Sequence, residues 1–215
     1  KKAQVMVDLI RKFQKIHDKN IVHNDIKPAN IMMKNNDFSD LRVVDFGVSD
    51  RNGTLSLAGT ELYFPPERHN DYLLTYKGDI YALALTFVMM EKSARKIILG
   101  MNGYCFSGNP DNQCRERFDE ALQKAFRPKK KTEFLFRAFQ IATAYKPEDR
   151  YESMGLFADA IADAAKFAPG FGNNPEEPQI SPWSKLLNYV GVGGGIANKI
   201  LSAETSNIER NLLII

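Results

Sequence analysis

At 215 residues, with 44% hydrophobic and 26% charged side chains, the chain has the make-up of one globular domain with room for an appendage. Its 29 basic and 26 acidic residues leave a net charge of +3, which excludes the strong positive field of a dedicated nucleic-acid binder. It also lacks the run of about eighteen apolar residues that a membrane span needs, and its two cysteines, Cys105 and Cys114, match no zinc spacing and make no disulfide framework, so a reducing compartment is expected.

Residues 1–18 place Val5, Leu9, Phe13 and Ile16, with Met6 and Ile10 alongside, on one helical stripe opposite Lys, Arg and Gln. The chain opens directly in this pattern, without a signal peptide, as expected of a piece of something longer. A polar stretch follows, His23-Asn24-Asp25-Ile26-Lys27-Pro28-Ala29-Asn30. Ile31–Met33 and Val43-Val44 then read as the two strands of a hairpin that would bring Asp25, Asn30 and Asp45 around one small space. Phosphoryl transfer from a magnesium nucleotide needs such a set: one carboxylate to orient a hydroxyl, and hard oxygen ligands for the metal. Lys27, two residues after Asp25, can offset charge on the transferred group.

Residues 45–67, rich in Ser, Gly, Thr and Asn, predict an exposed and mobile loop, with Thr54 and Ser56 as hydroxyls open to modification. Residues 77–91 are apolar on nearly every face, which predicts a helix buried at the centre of the domain. Between 93 and 131, Gly100, Gly103, Gly108 and Pro110 point to loops, and only Glu116–Phe126 shows an amphipathic helix. The basic run Arg127–Lys131 reads as a solvated loop. Thr132–Tyr145 is helical again and stops at Lys146-Pro147, and residues 152–167 form a last helix. Residues 168–180 are linker-like. A tail over 181–215 starts as a helix at Ser181-Pro182-Trp183 and is broken by Gly191-Val192-Gly193-Gly194-Gly195, which lacks the GK[ST] ending of a phosphate loop.

The stretch HNDIKPAN resembles the catalytic loop of eukaryotic-type protein kinases, H-R-D-x-K-x-x-N, and Asp45-Phe46-Gly47 resembles their metal-binding motif. Together, in order and about twenty residues apart around a predicted hairpin, the two make a specific signal. The resemblance implies that Asp25 orients a substrate hydroxyl and accepts its proton, Lys27 stabilises the phosphoryl group, and Asn30 and Asp45 hold the Mg2+ of ATP. It implies that His23 braces the loop and that Ile21-Val22 is a short buried strand before it. Gly59-Thr60 followed by Tyr63-Phe64-Pro65-Pro66-Glu67 is similar to the G-T-x-x-Y-x-A-P-E ending, with Pro65 in place of Ala; Thr60 would then bond Asp25 and Lys27, as in serine/threonine kinases. Lys77–Glu91 resembles the central kinase helix, whose Asp, here Asp79, receives catalytic-loop amides. Pro147-Glu148-Asp149-Arg150 matches P-x-x-R, which implies a buried ion pair from Arg150 to Glu67. Asn24 departs from the pattern: it replaces an Arg that grips an activation-loop phosphate, which argues against activation by loop phosphorylation and for a constitutive or partner-controlled enzyme. HNDIKP is also similar to some bacterial kinase-like virulence effectors.

The implied fold is mainly α (α+β): a protein-kinase-like C-lobe over 1–167 with a small β-hairpin at the catalytic site, and no N-lobe in this chain. The implied function is the catalytic lobe of a serine/threonine protein kinase, moving the ATP γ-phosphoryl group to a protein substrate and completed by a separate N-lobe segment or a regulatory protein. The alternative is a kinase-fold pseudoenzyme that binds partners through 93–131 and the tail. Cytoplasmic localisation is expected, or delivery to a host cell for an effector.

Overall fold

In a computed structural model, the structure describes residues 2–34, 37–101, 112–126 and 132–167. The linker, the tail, the basic run and the loop glycines Gly103 and Gly108 lie outside these residues. The domain is mostly helical with two small sheets. Helix α1 (Lys2–His17) buries its Met6, Ile10 and Phe13 stripe. Strand β1 (Ile21–Val22) pairs antiparallel with β4 (Asp50–Arg51), and β2 (Ile31–Lys34) pairs antiparallel with β3 (Asp37–Val43) in the register Ile31↔Val43, Met32↔Arg42, Met33↔Leu41. The expected hairpin is therefore present, with a longer return strand. A short helix α2 (Arg68–Asp71) leads to α3 (Tyr76–Met89), then α4 (Lys92–Leu99), α5 (Asn112–Phe126), α6 (Glu133–Ala142) and α7 (Met154–Phe167).

Helix α3 is the axis of the domain. The Thr75 side chain caps it by accepting the Gly78 amide at 2.9 Å. Every residue from Gly78 to Met89 is buried, as the all-round apolar pattern requires. Helices α4, α5, α6 and α7 pack against it, and α1 packs against α7. Their common centre is Phe139, stacked on Phe126 at 4.1 Å and meeting Phe87 and Phe157 edge-on at 5.9 and 5.6 Å. Among the described residues no helix is long and apolar enough to cross a membrane.

Three expectations need correction. The stretch after residue 92 contains a whole helix, α4, capped by Glu91 accepting the Ala94 amide at 2.8 Å, and α5 starts before Glu116. Helix α6 stops at Ala142 rather than Tyr145, and Thr143 donates both its amide and its hydroxyl to the Phe139 carbonyl. Residues 53–58 are exposed but not a free loop: Gly53 and Ser56 donate to the Leu74 and Tyr72 carbonyls, Leu74 donates to Thr54, and Leu55 bridges Leu73. Cys114 is buried on α5.

Far-apart segments meet at Arg150, whose side chain is fully buried. Its Nη1 and Nη2 donate to the two Glu67 oxygens at 2.7 and 2.6 Å, its Nε donates to the Ala144 carbonyl, and its guanidinium lies over the Tyr81 ring at 4.9 Å. Burial and the nearby Glu67 push the Tyr81 phenol above its ordinary range. Removing Glu67 strands a buried cation, so Glu67→Ala should lower the unfolding free energy by about 3–5 kcal/mol in urea titrations, whereas a loss below about 1 kcal/mol would contradict a structural role for the pair.

Candidate active site

The site begins at a carboxylate that never touches it from the front. Asp79, on the first turn of α3 and 2% exposed, accepts the His23 amide on Oδ2 at 2.7 Å and the Asn24 amide on Oδ1 at 3.0 Å. His17, from the end of α1, donates through Nε2 to the same Oδ2 at 2.8 Å and stacks on Tyr76. These contacts turn the chain sharply after β1, and Asn24 sits at φ 70°, a left-handed conformation that Asn tolerates. The fully buried His23 ring is fixed in turn. Its Nδ1 accepts the Asp25 amide at 3.3 Å, which leaves Nε2–H to donate to the Val44 carbonyl at 3.1 Å. One ring thereby ties the polar loop to the strand that delivers Asp45.

Asp25 emerges from this support with both oxygens engaged and 7% exposure. Thr60 donates its hydroxyl to Oδ1 at 2.6 Å, Lys27 Nζ lies 2.7 Å from Oδ2, and Asn30 Nδ2 donates to Oδ2 at 3.0 Å and to the Asp25 carbonyl at 2.8 Å. Lys27 also donates to Thr60 Oγ1 at 2.8 Å, closing a triangle of carboxylate, ammonium and hydroxyl. Burial raises the Asp25 carboxyl pKa, but the hydrogen bonds from Lys27 and Thr60, the Lys27 charge and the Asn30 bond outweigh it, and the net shift is downward.

Thr60 reaches Asp25 because the residue before it is glycine. Gly59 has φ 116°, and a Cβ there would stand 2.7 Å from the Asn24 carbonyl oxygen.

Asp45 lies farther out. It is exposed, has φ 64°, and its Oδ1 accepts the Gly47 amide at 3.3 Å. The backbone brings it close to Asn30, since the Val44 amide donates to the Asn30 carbonyl at 3.0 Å. With Asn30 Nδ2 spent on Asp25, its amide oxygen is left to face a cation. That oxygen and the Asp45 carboxylate are the hard donors that Mg2+ takes, so the residues fit the metal. Among the described residues no cluster of three or more His, Cys, Asp or Glu forms, so phosphate oxygens and water would have to complete its shell.

Two contributors escaped the sequence reading. His17 falls four residues after Phe13, on the buried stripe of α1, and a polar residue on an apolar stripe is the signal that would have found it. Arg68 sits beside the motif ending in Glu67, and nothing in its spacing marks it. It is 3% exposed and donates to Asn24 Oδ1 and to the Ser56 and Ala58 carbonyls.

A mostly helical domain whose loop, hairpin and central helix converge in this way has the architecture of a protein kinase domain. Residues 1–102 match the protein kinase domain family. The chain is 36% identical over 80 residues to the serine/threonine-protein kinase pakF of Dictyostelium discoideum, covering 35% of this chain and 7% of the relative. It is 31% identical over 162 residues to the serine/threonine-protein kinase PknH of Mycobacterium tuberculosis, covering 69% of this chain and 23% of the relative. It is 25% identical over 219 aligned positions to the probable kinase PknB of Corynebacterium glutamicum, covering 90% of this chain and 32% of the relative. Over these stretches the chain resembles the eukaryotic-type serine/threonine protein kinases, and it spans about a third or less of the length of these relatives.

The lowered Asp25 pKa sets a pH signature. A depressed carboxyl contributes stability above its unfolded value and loses it as the pH falls through the folded one. The stability difference between the native chain and Asp25→Asn should therefore stay constant from about pH 7 to 5 and shrink only below about pH 4 in urea titrations. A native chain that instead gains stability relative to Asp25→Asn as the pH falls through about 6 would mean a raised carboxyl.

Proposed function

We propose that this chain is the catalytic lobe of a serine/threonine protein kinase that transfers the γ-phosphoryl group of ATP to a protein hydroxyl. The observation that carries this reading is the triangle of Asp25, Lys27 and Thr60: a carboxylate held ionised, with an ammonium within 2.7 Å and a hydroxyl at 2.6 Å marking where a donor sits against Oδ1. A scaffold that only bound partners would have no use for a loop carboxylate kept ionised in a nearly closed site.

In the proposed reaction the substrate hydroxyl donates to Asp25 and is thereby aimed at the γ-phosphorus. Its oxygen forms the new P–O bond as the bond from the γ-phosphorus to the β,γ-bridging oxygen breaks, leaving ADP. The hydroxyl proton passes to Asp25 late, when bond formation has made it acidic, which suits a carboxylate of low basicity. Lys27 meets negative charge on the transferred group. Thr60, bonded to both, sets their spacing. Asn30 and Asp45 would hold Mg2+, which supplies charge neutralisation on the phosphates. The exposed rings and chains beside the loop, Phe46 at 43% and Met32 at 39%, fit cover by a second, smaller lobe that would close over the nucleotide.

The test is magnesium-dependent transfer from radiolabelled ATP to a generic protein acceptor, with and without whatever the gene encodes before residue 1. Asp25→Ala should lower kcat by at least about 10²-fold, the lower range for loss of a positioned acid–base group. Transfer that survives the substitution would defeat the assignment. Asp45→Ala should abolish the magnesium dependence of nucleotide binding, read by titration calorimetry, without moving the melting temperature. Unchanged binding would remove Asp45 from the metal site.

A further inference from the structure

Arg68 is a charge without a charge partner. Its residue is 3% exposed, and among the described residues no carboxylate lies within ion-pair distance of it. Burial draws its guanidinium down from the usual range, offset in part by the longer-range fields of Asp79 and Asp25. A cation is expensive to hold in such a place, and its acceptors show what it is held for. Nη1 donates to Asn24 Oδ1, in the catalytic loop. Nη2 donates to two backbone carbonyls of the facing segment, Ser56 at 3.0 Å and Ala58. The planar group lies 4.0 Å over the Phe64 ring, beyond Thr60.

Asn24 completes the arrangement from the other side. Its Nδ2 donates to the Val48 carbonyl at 2.9 Å and to the same Ala58 carbonyl at 3.2 Å. The Ala58 oxygen thus receives both side chains, one residue before Gly59 and two before Thr60. An arginine at position 24 would bring a second cation against Arg68, so the neutral amide and the cation at 68 belong together.

We infer that Arg68 is a positioning residue for the phosphoryl-transfer site: with Asn24 it clamps the carbonyls of Ser56 and Ala58, holding Thr60 on Asp25 and Lys27 with no phosphate on the segment. This rests on the proposed function for its consequence, but the clamp itself can be read without catalysis. The fork of Arg is what three acceptors on two segments require; a lysine ammonium cannot span them.

Hydrogen–deuterium exchange on the whole chain tests the clamp, after phosphatase treatment and mass confirmation that the protein is unphosphorylated. Arg68→Gln should speed exchange across residues 54–60 by about tenfold or more, the scale of losing charge-assisted bonds, and leave α3 within about twofold of native. Arg68→Lys should fall between the two. Should Arg68→Gln loosen α3 as well, Asn24→Ala takes its place, since it keeps the cation and removes one acceptor; faster exchange confined to 54–60 supports the clamp. Native rates over 54–60 in both variants overturn it. With transfer measured in parallel, Arg68→Gln should lower kcat and leave the KM for ATP unchanged. Activity of the native chain that disappears on phosphatase treatment overturns the phosphate-independent clamp. A native chain that transfers nothing yet shows Arg68-dependent protection keeps the clamp and defeats the proposed function.

Discussion

The geometry of the site depends on one buried carboxylate. Asp79 spends both oxygens on the amides of His23 and Asn24, and it does so from the first turn of a helix that the rest of the domain surrounds. Two backbone N–H groups at a tight, left-handed turn would otherwise be buried without partners, a cost of about 1–3 kcal/mol each. The helix N-terminus favours the negative charge of Asp79, and His17 adds a third donor. A rigid core element therefore dictates the course of a loop that has no regular structure of its own.

From that anchor the contacts run outward in order. His23 passes the constraint to Val44 and so to the turn bearing Asp45; Asn30 passes it back to Asp25 through the carbonyl and the carboxylate. Thr60 arrives from the other side of the site, on a segment paired to residues 72–74 and gripped by Arg68. The two halves meet at Asp25. Most of these bonds are buried, so losing one partner costs more than the bond is worth, and the network is kept or lost as a whole. Asp45 is the exception. It is exposed and accepts the amide of Gly47, two residues on.

Much of this was legible in the residues. The stripe of α1, the hairpin and the all-apolar α3 follow from periodicity, because burial of one face or of all faces leaves a direct trace in composition. That Asp25, Lys27, Asn30 and Thr60 would meet was legible from the loop and Gly-Thr motifs, and the structure brings the four side chains together. What escaped were features set by tertiary contact. Helix α4 is only eight residues long, so its apolar positions Ala94, Ile97 and Ile98 were outweighed by the glycines that follow it. The pairing of 53–56 with 72–74 is backbone-only and leaves Leu55 and Leu57 exposed, so no alternation announces it. The bond from Arg68 to Asn24 could not be read from the sequence, because nothing local links positions 24 and 68.

The central claim is that Asp79 holds the catalytic loop from behind. The most direct measurement is amide exchange by NMR at His23 and Asn24 in the native chain and in Asp79→Asn, which preserves shape and removes the charge. Both amides should be protected in the native chain to the level of the α3 amides of Leu83 and Leu85. In the variant both should exchange at least about tenfold faster while α3 stays protected. Unchanged protection at His23 and Asn24 would mean that the loop keeps its shape without the carboxylate, and the account built on it would fail.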